Sequence, residues 1–219
     1  MQKFWRNNGL TIVLMVCFLA FWGGQTLTGW HSYNQEQEQH REPPVSLVSY
    51  LGSGHFIEAT FENWESEFLQ MAAYVWLTTF LFQKGSAESK DPDKKEAVDE
   101  DPDPTKRDAP GPVKKGGFIL ALYKHSLALA LFGLFLISFG LHAVGGAREY
   151  SEQQIQFGQK PVSTLEFLGT SQFWFQSLQN WQSEFLAVAS IVVLSIFLRQ
   201  KGSPESKPIN APHSQTGNG

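Results

Sequence analysis

The chain has 219 residues, a net charge of −4 and an aromatic share of 14 %. This length allows one or two domains, and the acidic balance gives no case for a nucleic-acid partner. The single Cys17 excludes an internal disulfide framework. Long apolar runs alternate with segments that almost lack large apolar residues, and most Trp residues flank these runs. Such segregation predicts an integral membrane protein with aromatic side chains at the interfaces.

The first apolar run covers residues 9–30. At about 1.5 Å per residue it is long enough to cross a hydrocarbon core of roughly 30 Å. Lys3 and Arg6 before it are typical of a signal peptide, but no Ala-x-Ala site follows. The run also has a counterpart at 125–146, where no signal peptide is expected, so we interpret it as a retained membrane helix.

Polar residues 31–42 predict that this helix projects beyond the membrane until Pro43-Pro44 stops it. Residues 44–51 are amphipathic, and Gly52 is a candidate C-terminal cap. The pattern is typical either of a short helix on the outer membrane surface or of an ordered loop packed on the helices. A second long helix is expected from about residue 53 to Gln83.

Self-comparison shows a duplication at a constant offset of 117 residues. Its clearest part is the stretch 63–69, Asn-Trp-Glu-Ser-Glu-Phe-Leu, which returns at 180–186 with six of seven positions identical. The second half is therefore predicted to repeat the plan of the first, with a projecting helix to Gln159 and a short helix near 162–168.

The expected fold is all-α, a membrane four-helix bundle of two tandem parallel helical hairpins that project on the extracytoplasmic side. The four membrane helices are placed at about 9–30, 63–83, 120–146 and 180–200. The predicted domains are a first hairpin at 1–84, a disordered charged cytoplasmic linker at 85–116, a second hairpin at 117–201 and a disordered tail at 202–219.

The distribution of positive charge predicts the orientation of the hairpins. Of 17 Lys and Arg residues, only Arg41, Arg148 and Lys160 lie in the two loops between paired helices. By the positive-inside rule, both termini and the linker are cytoplasmic and the two loops face outward. Both hairpins then run in the same direction, which places their pseudo-twofold axis along the membrane normal.

Polar residues recur on one face of the second helix of each hairpin, at the level of the outer interface. In the first copy they follow the spacing i, i+3, i+4, i+7. We expect them to gather near the axis with two residues of the first helices. The candidate polar or ion site comprises Glu67, Glu184, Asn63, Asn180, Ser66, Ser183, Gln70, Gln25 and His142. The expected interface anchors are Trp64, Trp181 and Trp30.

Two interpretations of this polar set stay open. Paired membrane-level carboxylates bind protons, cations or amines, because desolvation and mutual repulsion raise their pKa values. Alternatively, the acidic groups favour the helix N-terminus, and Asn and Ser hold helices together. No metal or cofactor is expected, because His31, His40 and His55 have no histidine at the matching second-copy positions.

Residues 54–71, with the turn at Pro43-Pro44-Val45-Ser46 and the Gln-Lys-Gly-Ser-x-Glu-Ser-Lys segments after each second helix, resemble a bacterial membrane-protein family. That family is a domain of unknown function, number 6766. The resemblance covers nearly all of the chain except the linker, and it implies a bacterial cytoplasmic-membrane protein without implying an activity. The second copy departs at His55/Gln172, Glu58/Phe175 and Glu62/Gln179.

Three functions are therefore considered. The first is a non-enzymatic membrane scaffold or interaction protein. The second is a small transporter or ion-conducting protein that uses Glu67 and Glu184, for which four helices favour a homodimer. A lipid-modifying enzyme is a distant third, because the sequence has no phosphate loop, nucleophile elbow or zinc-protease helix. The lipid bilayer is the expected partner, and any ligand is unknown.

Overall fold

The computed structural model describes residues 2–217; Met1 at the start of the first predicted hairpin and residues 218–219 of the predicted tail lie outside it. Throughout the described part the regular structure is helical, which confirms the all-α expectation. The helices are α1 (Gln2–Gln39), α2 (Leu47–Leu51), α3 (Gly54–Leu77), α4 (Gly111–Lys115), α5 (Gly117–Lys124), α6 (Ser126–Gln156), α7 (Thr164–Leu168) and α8 (Ser171–Phe197), with a 3₁₀ turn at Ala97–Asp99.

The chain forms two compact units, and each draws on both halves of the sequence. Unit 1 contains the chain up to Phe61 together with Gly140–Phe173. Unit 2 contains Glu62–Phe139 and the chain from Trp174 onward. The predicted division into hairpins, linker and tail stays a prediction.

Three helices within the described residues are long and apolar enough to cross a membrane: α1, α6 and α8. The fourth helix expected to cross, α3, is not among them. Four Glu residues, at positions 58, 62, 65 and 67, lie before its apolar end, and its helical geometry ends at Leu77, six residues before Gln83. Thr79 lies just beyond that end, and its hydroxyl donates a hydrogen bond to the carbonyl of Trp76 in the last turn of α3. A membrane crossing by α3 therefore remains a proposal.

The predicted helix ends also shift elsewhere. The apolar segment expected as one helix from about residue 120 is divided, because His125 leaves helical geometry with φ −114° and ψ 6°. No glycine or proline lies at this break. The last helix ends at Phe197 instead of near residue 200.

Both segments expected to contain a short helix do form one, while their position at the outer membrane surface stays a prediction. In α2 the hydroxyl of Ser46 caps the amide of Ser49, and in α7 the hydroxyl of Ser163 caps the amide of Glu166. Gly52 occupies the C-cap of α2, as expected, and Gly169 occupies the C-cap of α7. Helices of five residues cannot offset the cost of nucleation alone, so tertiary contacts must hold them.

Two matching aromatic clusters in unit 1 supply those contacts. Tyr50 of α2 lies between Tyr33 and Phe56, with ring centroids 5.6 and 5.5 Å apart. Phe167 of α7 has the corresponding place in the second cluster: its ring centroid lies 5.6 Å from that of Tyr150 and 5.6 Å from that of Phe173. The three members of each cluster correspond at the repeat offset, and the central rings are almost fully buried. Burial of each central ring contributes roughly 1.5–3 kcal/mol.

A glycine in each long helix makes room for the central ring. A Cβ on Gly29 would overlap the Tyr50 hydroxyl, and a Cβ on Gly146 would overlap the Phe167 ring. The two glycines also correspond at the repeat offset. Each glycine therefore allows a short helix to approach the long helix before it.

A polar side chain of each long helix holds the chain that enters the short helix. The side-chain amide of Asn34 donates to the carbonyl of Val45 (3.1 Å), and its oxygen accepts from the Val45 amide (2.8 Å). Ser151, at the matching position, makes both contacts with Val162 through its hydroxyl at 3.1 and 3.0 Å. Each pair fixes the turn that follows a projecting helix end.

In unit 2 the side chain of Lys207 joins the segments that follow α3 and α8. Its ammonium group is buried and donates to backbone carbonyls that include those of Gly85, His213 and Gln215. Several backbone carbonyls thus replace the hydration of a buried charge. Disorder of the predicted linker and tail stays a prediction.

We expect Gly146→Ala to destabilise the protein, because the added methyl group overlaps the buried Phe167 ring. Overpacking of this kind costs typically about 1–3 kcal/mol. Gly140→Ala on the same helix is the matched control, because a Cβ there would meet no atom within 4 Å apart from the backbone of its own helix and its chain neighbours. Thermal unfolding in detergent should give a lower midpoint for the first variant alone. Equal midpoints for the two variants would contradict the packing role of Gly146.

Candidate functional site

One face of α6 in unit 1 carries a buried polar cluster. His142, Gly146 and Glu149 are spaced i, i+4, i+7 and therefore share this face. The start of α3 packs directly against it, since a Cβ on Gly54 would lie 2.5 Å from the Glu149 amide nitrogen. A Cβ on Gly145 would likewise lie 2.6 Å from the Glu58 amide nitrogen. Glycines at the crossing bring the two backbones together and bury the polar side chains around it.

Glu149 is the most unusual member of this cluster. Only 8 % of the residue is exposed. One carboxylate oxygen accepts a hydrogen bond from the Gln153 side-chain amide at 3.3 Å, while the other, Oε2, is buried without a hydrogen-bond partner. The negative charges of Glu152, Glu58 and Glu36 act on it. An ionised carboxylate in this position is costly, because no protein donor replaces the hydration of Oε2.

Aromatic and imidazole side chains lie beside these carboxylates. The Tyr33 hydroxyl donates to Glu152 Oε2 at 3.2 Å. The Tyr50 hydroxyl is 3.1 Å from His55 Nδ1, and the ring centroids of Tyr33 and His55 are 5.4 Å apart. The first aromatic cluster therefore borders the acidic groups of α6.

Burial changes the proton affinity of the groups on α2 and α3. Burial lowers the pKa of His55, while the nearby charges of Glu36 and Glu152 oppose this shift. Burial also raises the pKa of the Tyr50 hydroxyl, and the charge of Glu149 raises it further. Both side chains are therefore favoured in their neutral forms, so His55 brings no fixed positive charge to the carboxylates.

Glu58 and His142 form a second buried pair in unit 1. His142 has no exposed surface, and its ring stacks on Phe173 with centroids 4.8 Å apart. A carboxylate oxygen of Glu58 lies within 4.8 Å of a His142 ring nitrogen. Glu58 also approaches α6 one turn before Glu149, where its Oε1 would be 3.4 Å from a Cβ on Gly146.

In unit 2 the buried carboxylate of the repeated motif is Glu65. It is 0 % exposed, and its Oε1 accepts hydrogen bonds from the Ser177 hydroxyl at 2.7 Å and from the Trp181 indole nitrogen at 3.2 Å. Trp181 therefore links α8 to α3 in addition to its expected interfacial position. Glu67, two residues later, is exposed.

The predicted polar set is divided between the two units. Ser66 and Gln70 are buried in unit 2, whereas Asn63 and Glu67 are exposed. In the second copy, Asn180 and Glu184 are half-buried and Ser183 is exposed. Gln25, which is exposed, and His142 belong to unit 1. Trp30, Trp64 and Trp181 are all half-buried.

Some of the predicted residues do meet. Glu67 lies close enough to Glu184 to interact with it electrostatically. Ser66 and Ser183 donate to the carbonyls of the Asn residues three positions before them, at 2.7 and 2.9 Å. Gln25 donates to the Ala59 carbonyl at 3.3 Å. The contacts of Ser66 and Ser183 each lie within one helix, so they do not join two helices.

Sequence reasoning missed Glu149 and Glu65. The spacing of His142, Gly146 and Glu149 was available as a signal, because a glycine between two polar residues on one helix face is typical of a close crossing. For Glu65 the available signal was the matching Gln182, since both copies carry a polar side chain there.

An apolar groove of about 430 Å³ lies in unit 2 between α3 and the start of α6. Small residues Ala72, Ala73 and Ala128 form part of its wall, together with Trp76. His125, at the break between α5 and α6, is its one titratable lining residue. The groove suits a flexible hydrocarbon group better than a polar ligand.

The fold defines a class: an all-helical protein with three helices long and apolar enough to span a membrane, and with buried carboxylates in both units. The family model described as Domain of unknown function (DUF6766) matches residues 1–218, so the chain belongs to that family and the resemblance is confirmed. Searches of curated proteins and of solved structures find no significant match.

We expect Glu65→Ala to destabilise the protein, because two buried donors, on Ser177 and Trp181, lose their acceptor. Each unsatisfied buried donor costs about 1–3 kcal/mol. Glu67→Ala is the matched control within the same motif, since Glu67 is exposed. Chemical unfolding in mixed micelles should separate the two variants. If Glu67→Ala were the more damaging change, the assignment of Glu65 as the structural carboxylate would be wrong.

Proposed function

We propose that the protein is a multi-pass integral protein of the bacterial cytoplasmic membrane that acts as a non-enzymatic scaffold and assembles as a homodimer. In this proposal two tandem hairpins place both termini and the linker in the cytoplasm. The polar ends of α1 and α6, with α2 and α7, then project outside the membrane.

The exposure of α1 supports the membrane location. None of its apolar window is buried within the protein. Large apolar side chains such as Leu10 and Phe21 are mostly exposed along it. An apolar helix of this length is stable when lipid surrounds it. In water, the exposure of its apolar side chains would be unfavourable in proportion to their surface area.

The two short helices support a position at the outer membrane surface. Each buries its aromatic residue and turns an aliphatic residue outward: Val48 of α2 is 80 % exposed and Leu165 of α7 is 81 % exposed. These two positions correspond at the repeat offset. Aliphatic side chains placed in this way suit insertion among lipid headgroups.

The observation that carries the scaffold role is the apolar tip of the second projection. Ile155 is 57 % exposed and Phe157 is 78 % exposed, at the polar end of α6. The matching residues of the first projection are Glu38 and His40. The apolar tip is therefore not a requirement of the repeated plan, and exposed apolar groups among polar ones mark interaction sites. A second copy of the chain presents the same tip, which suits a self-complementary dimer contact.

Transport is the less supported alternative. Glu67 and Glu184 interact electrostatically, but Glu67 is exposed and Glu184 only half-buried. A lipid-modifying enzyme has less support again, since the unit 2 groove is almost wholly apolar. That groove supports an acyl chain of the surrounding bilayer as its occupant.

Cysteine cross-linking in intact cells tests the proposal. Phe157→Cys in a Cys17→Ser background should react with a membrane-impermeant maleimide and form a disulfide-linked dimer. The expected mass is twice 24.6 kDa. Leu165→Cys is the matched control, because it is equally exposed yet is expected to face lipid.

Each outcome has a defined meaning. A dimer with Phe157→Cys alone supports the apolar tip as the contact. Failure of Phe157→Cys to react from outside would overturn the topology. Efficient labelling without a dimer would overturn the homodimeric scaffold.

A further inference from the structure

The apolar groove of unit 2 has one end that differs chemically from the rest. Its walls come from the last turns of α3 and the first turns of α6, and the titratable side chain of His125 lines it just before α6 begins. Trp76, near the end of α3, also lines it and is 58 % exposed. In the proposed topology both helix ends lie at the cytoplasmic surface, where Trp is typical of the headgroup level. Leu69, seven residues earlier on α3, extends the groove by about 10 Å along the helix.

The helix that precedes this end of the groove carries a positive charge. Lys124 is the last residue of α5, is directly followed by His125, and is exposed. Within residues 2–217, no carboxylate forms a salt bridge with Lys124. The same helix exposes Phe118 and Leu122, which are spaced i, i+4 and suit a position among lipid headgroups. Such a position brings the Lys124 ammonium group to the level of the lipid phosphates.

The segments that supply both walls are basic, although the whole chain has a net charge of −4. Residues 68–87 and 109–148 contain several Lys residues and neither Asp nor Glu. The Glu88 carboxylate does contact α3, where it accepts a hydrogen bond from the Tyr74 hydroxyl at 2.9 Å. Tyr74, however, is rotated by about 140° around the helix from Leu69, so this contact lies on another face of α3. The groove therefore combines apolar walls with a positive charge at one end.

We propose that this groove binds an anionic phospholipid of the cytoplasmic leaflet, with one acyl chain in the groove and the phosphate beside Lys124 and His125. The proposal rests on the membrane location and topology proposed above. The volume of about 430 Å³ is within the range of roughly 300–1,000 Å³ that ligand pockets have. Small residues Ala72, Ala73 and Ala128 leave the space that the acyl chain fills.

The charge at the end of the groove selects among lipids that have the same acyl chains. The Lys124 ammonium group attracts a headgroup with a net negative charge, and the His125 ring N–H is a hydrogen-bond donor for a phosphate oxygen. A zwitterionic headgroup also carries a phosphate, but its own ammonium group cancels most of the attraction. The apolar walls therefore supply the affinity for any acyl chain, and the basic end supplies the preference for an anionic lipid.

Native mass spectrometry of the full chain tests the proposal. Delipidated protein in detergent receives equal amounts of dioleoyl phosphatidylglycerol and dioleoyl phosphatidylcholine, and the lipids retained by each chain are counted. We expect phosphatidylglycerol to be retained at least about fivefold more than phosphatidylcholine, which is the factor that one Lys beside an anionic headgroup supplies. Lys124→Gln should remove most of this preference. Lys106→Gln, which removes one exposed charge from the linker, is the matched control and should keep it.

A second variant tests the groove separately from the charge. Ala128→Phe places a ring in the groove and should abolish the retention of both lipids. Its unfolding temperature without added lipid should stay close to that of the wild type, because the ring enters existing space. Lys124→Gln changes an exposed residue, so its result does not depend on a folding defect.

Three results would overturn the proposal. They are equal retention of the two lipids by the wild type, retention of neither lipid by the wild type, and an undiminished preference in Lys124→Gln. Unchanged retention in Ala128→Phe would likewise exclude the groove as the site. These results are independent of the homodimer, because lipid is counted per chain. A failed Phe157→Cys cross-link would leave the lipid counts unchanged.

Discussion

The contact between a glycine of a long helix and an aromatic ring of a short helix is the constraint on which unit 1 depends. Gly29 admits Tyr50, and Gly146 admits Phe167. Without this approach, helices of five residues would have no stabilising partner. Because Phe56 and Phe173 complete the two clusters from the first turns of α3 and α8, the same contact also positions the starts of those helices.

The close crossing has an electrostatic consequence as well as a packing one. Glycines 54 and 145 bring the α3 and α6 backbones together, and Glu58 and Glu149 are buried beside them. Carboxylates that lie on such a face lose hydration, so the ionised form of Glu149 is costly there. In unit 2 the same problem has a different solution, since Ser177 and Trp181 donate hydrogen bonds to Glu65. One unit therefore satisfies its buried carboxylate with protein donors, and the other leaves an oxygen available.

The sequence predicted features that depend on local pattern. The prolines at 43 and 44 and the candidate cap at Gly52 predicted the short helix between them. It could not tell which motif carboxylate is buried, because Glu65 and Glu67 are only two residues apart and the helix rotates about 200° between them. Comparison of the two copies emphasised residues that occur twice. Glu149 corresponds to Ser32, so that comparison gave no reason to select it.

Hydrogen–deuterium exchange of the full chain in nanodiscs tests the central role of the glycine–aromatic contacts most directly. The amides of Tyr50 and Phe167 donate to the carbonyls of Ser46 and Ser163 at 2.9 Å inside the two short helices. If the aromatic clusters hold these helices, both amides should exchange at least about a hundredfold more slowly than in an unstructured chain. Exchange at the unstructured rate in α2 and α7 would contradict this account of unit 1.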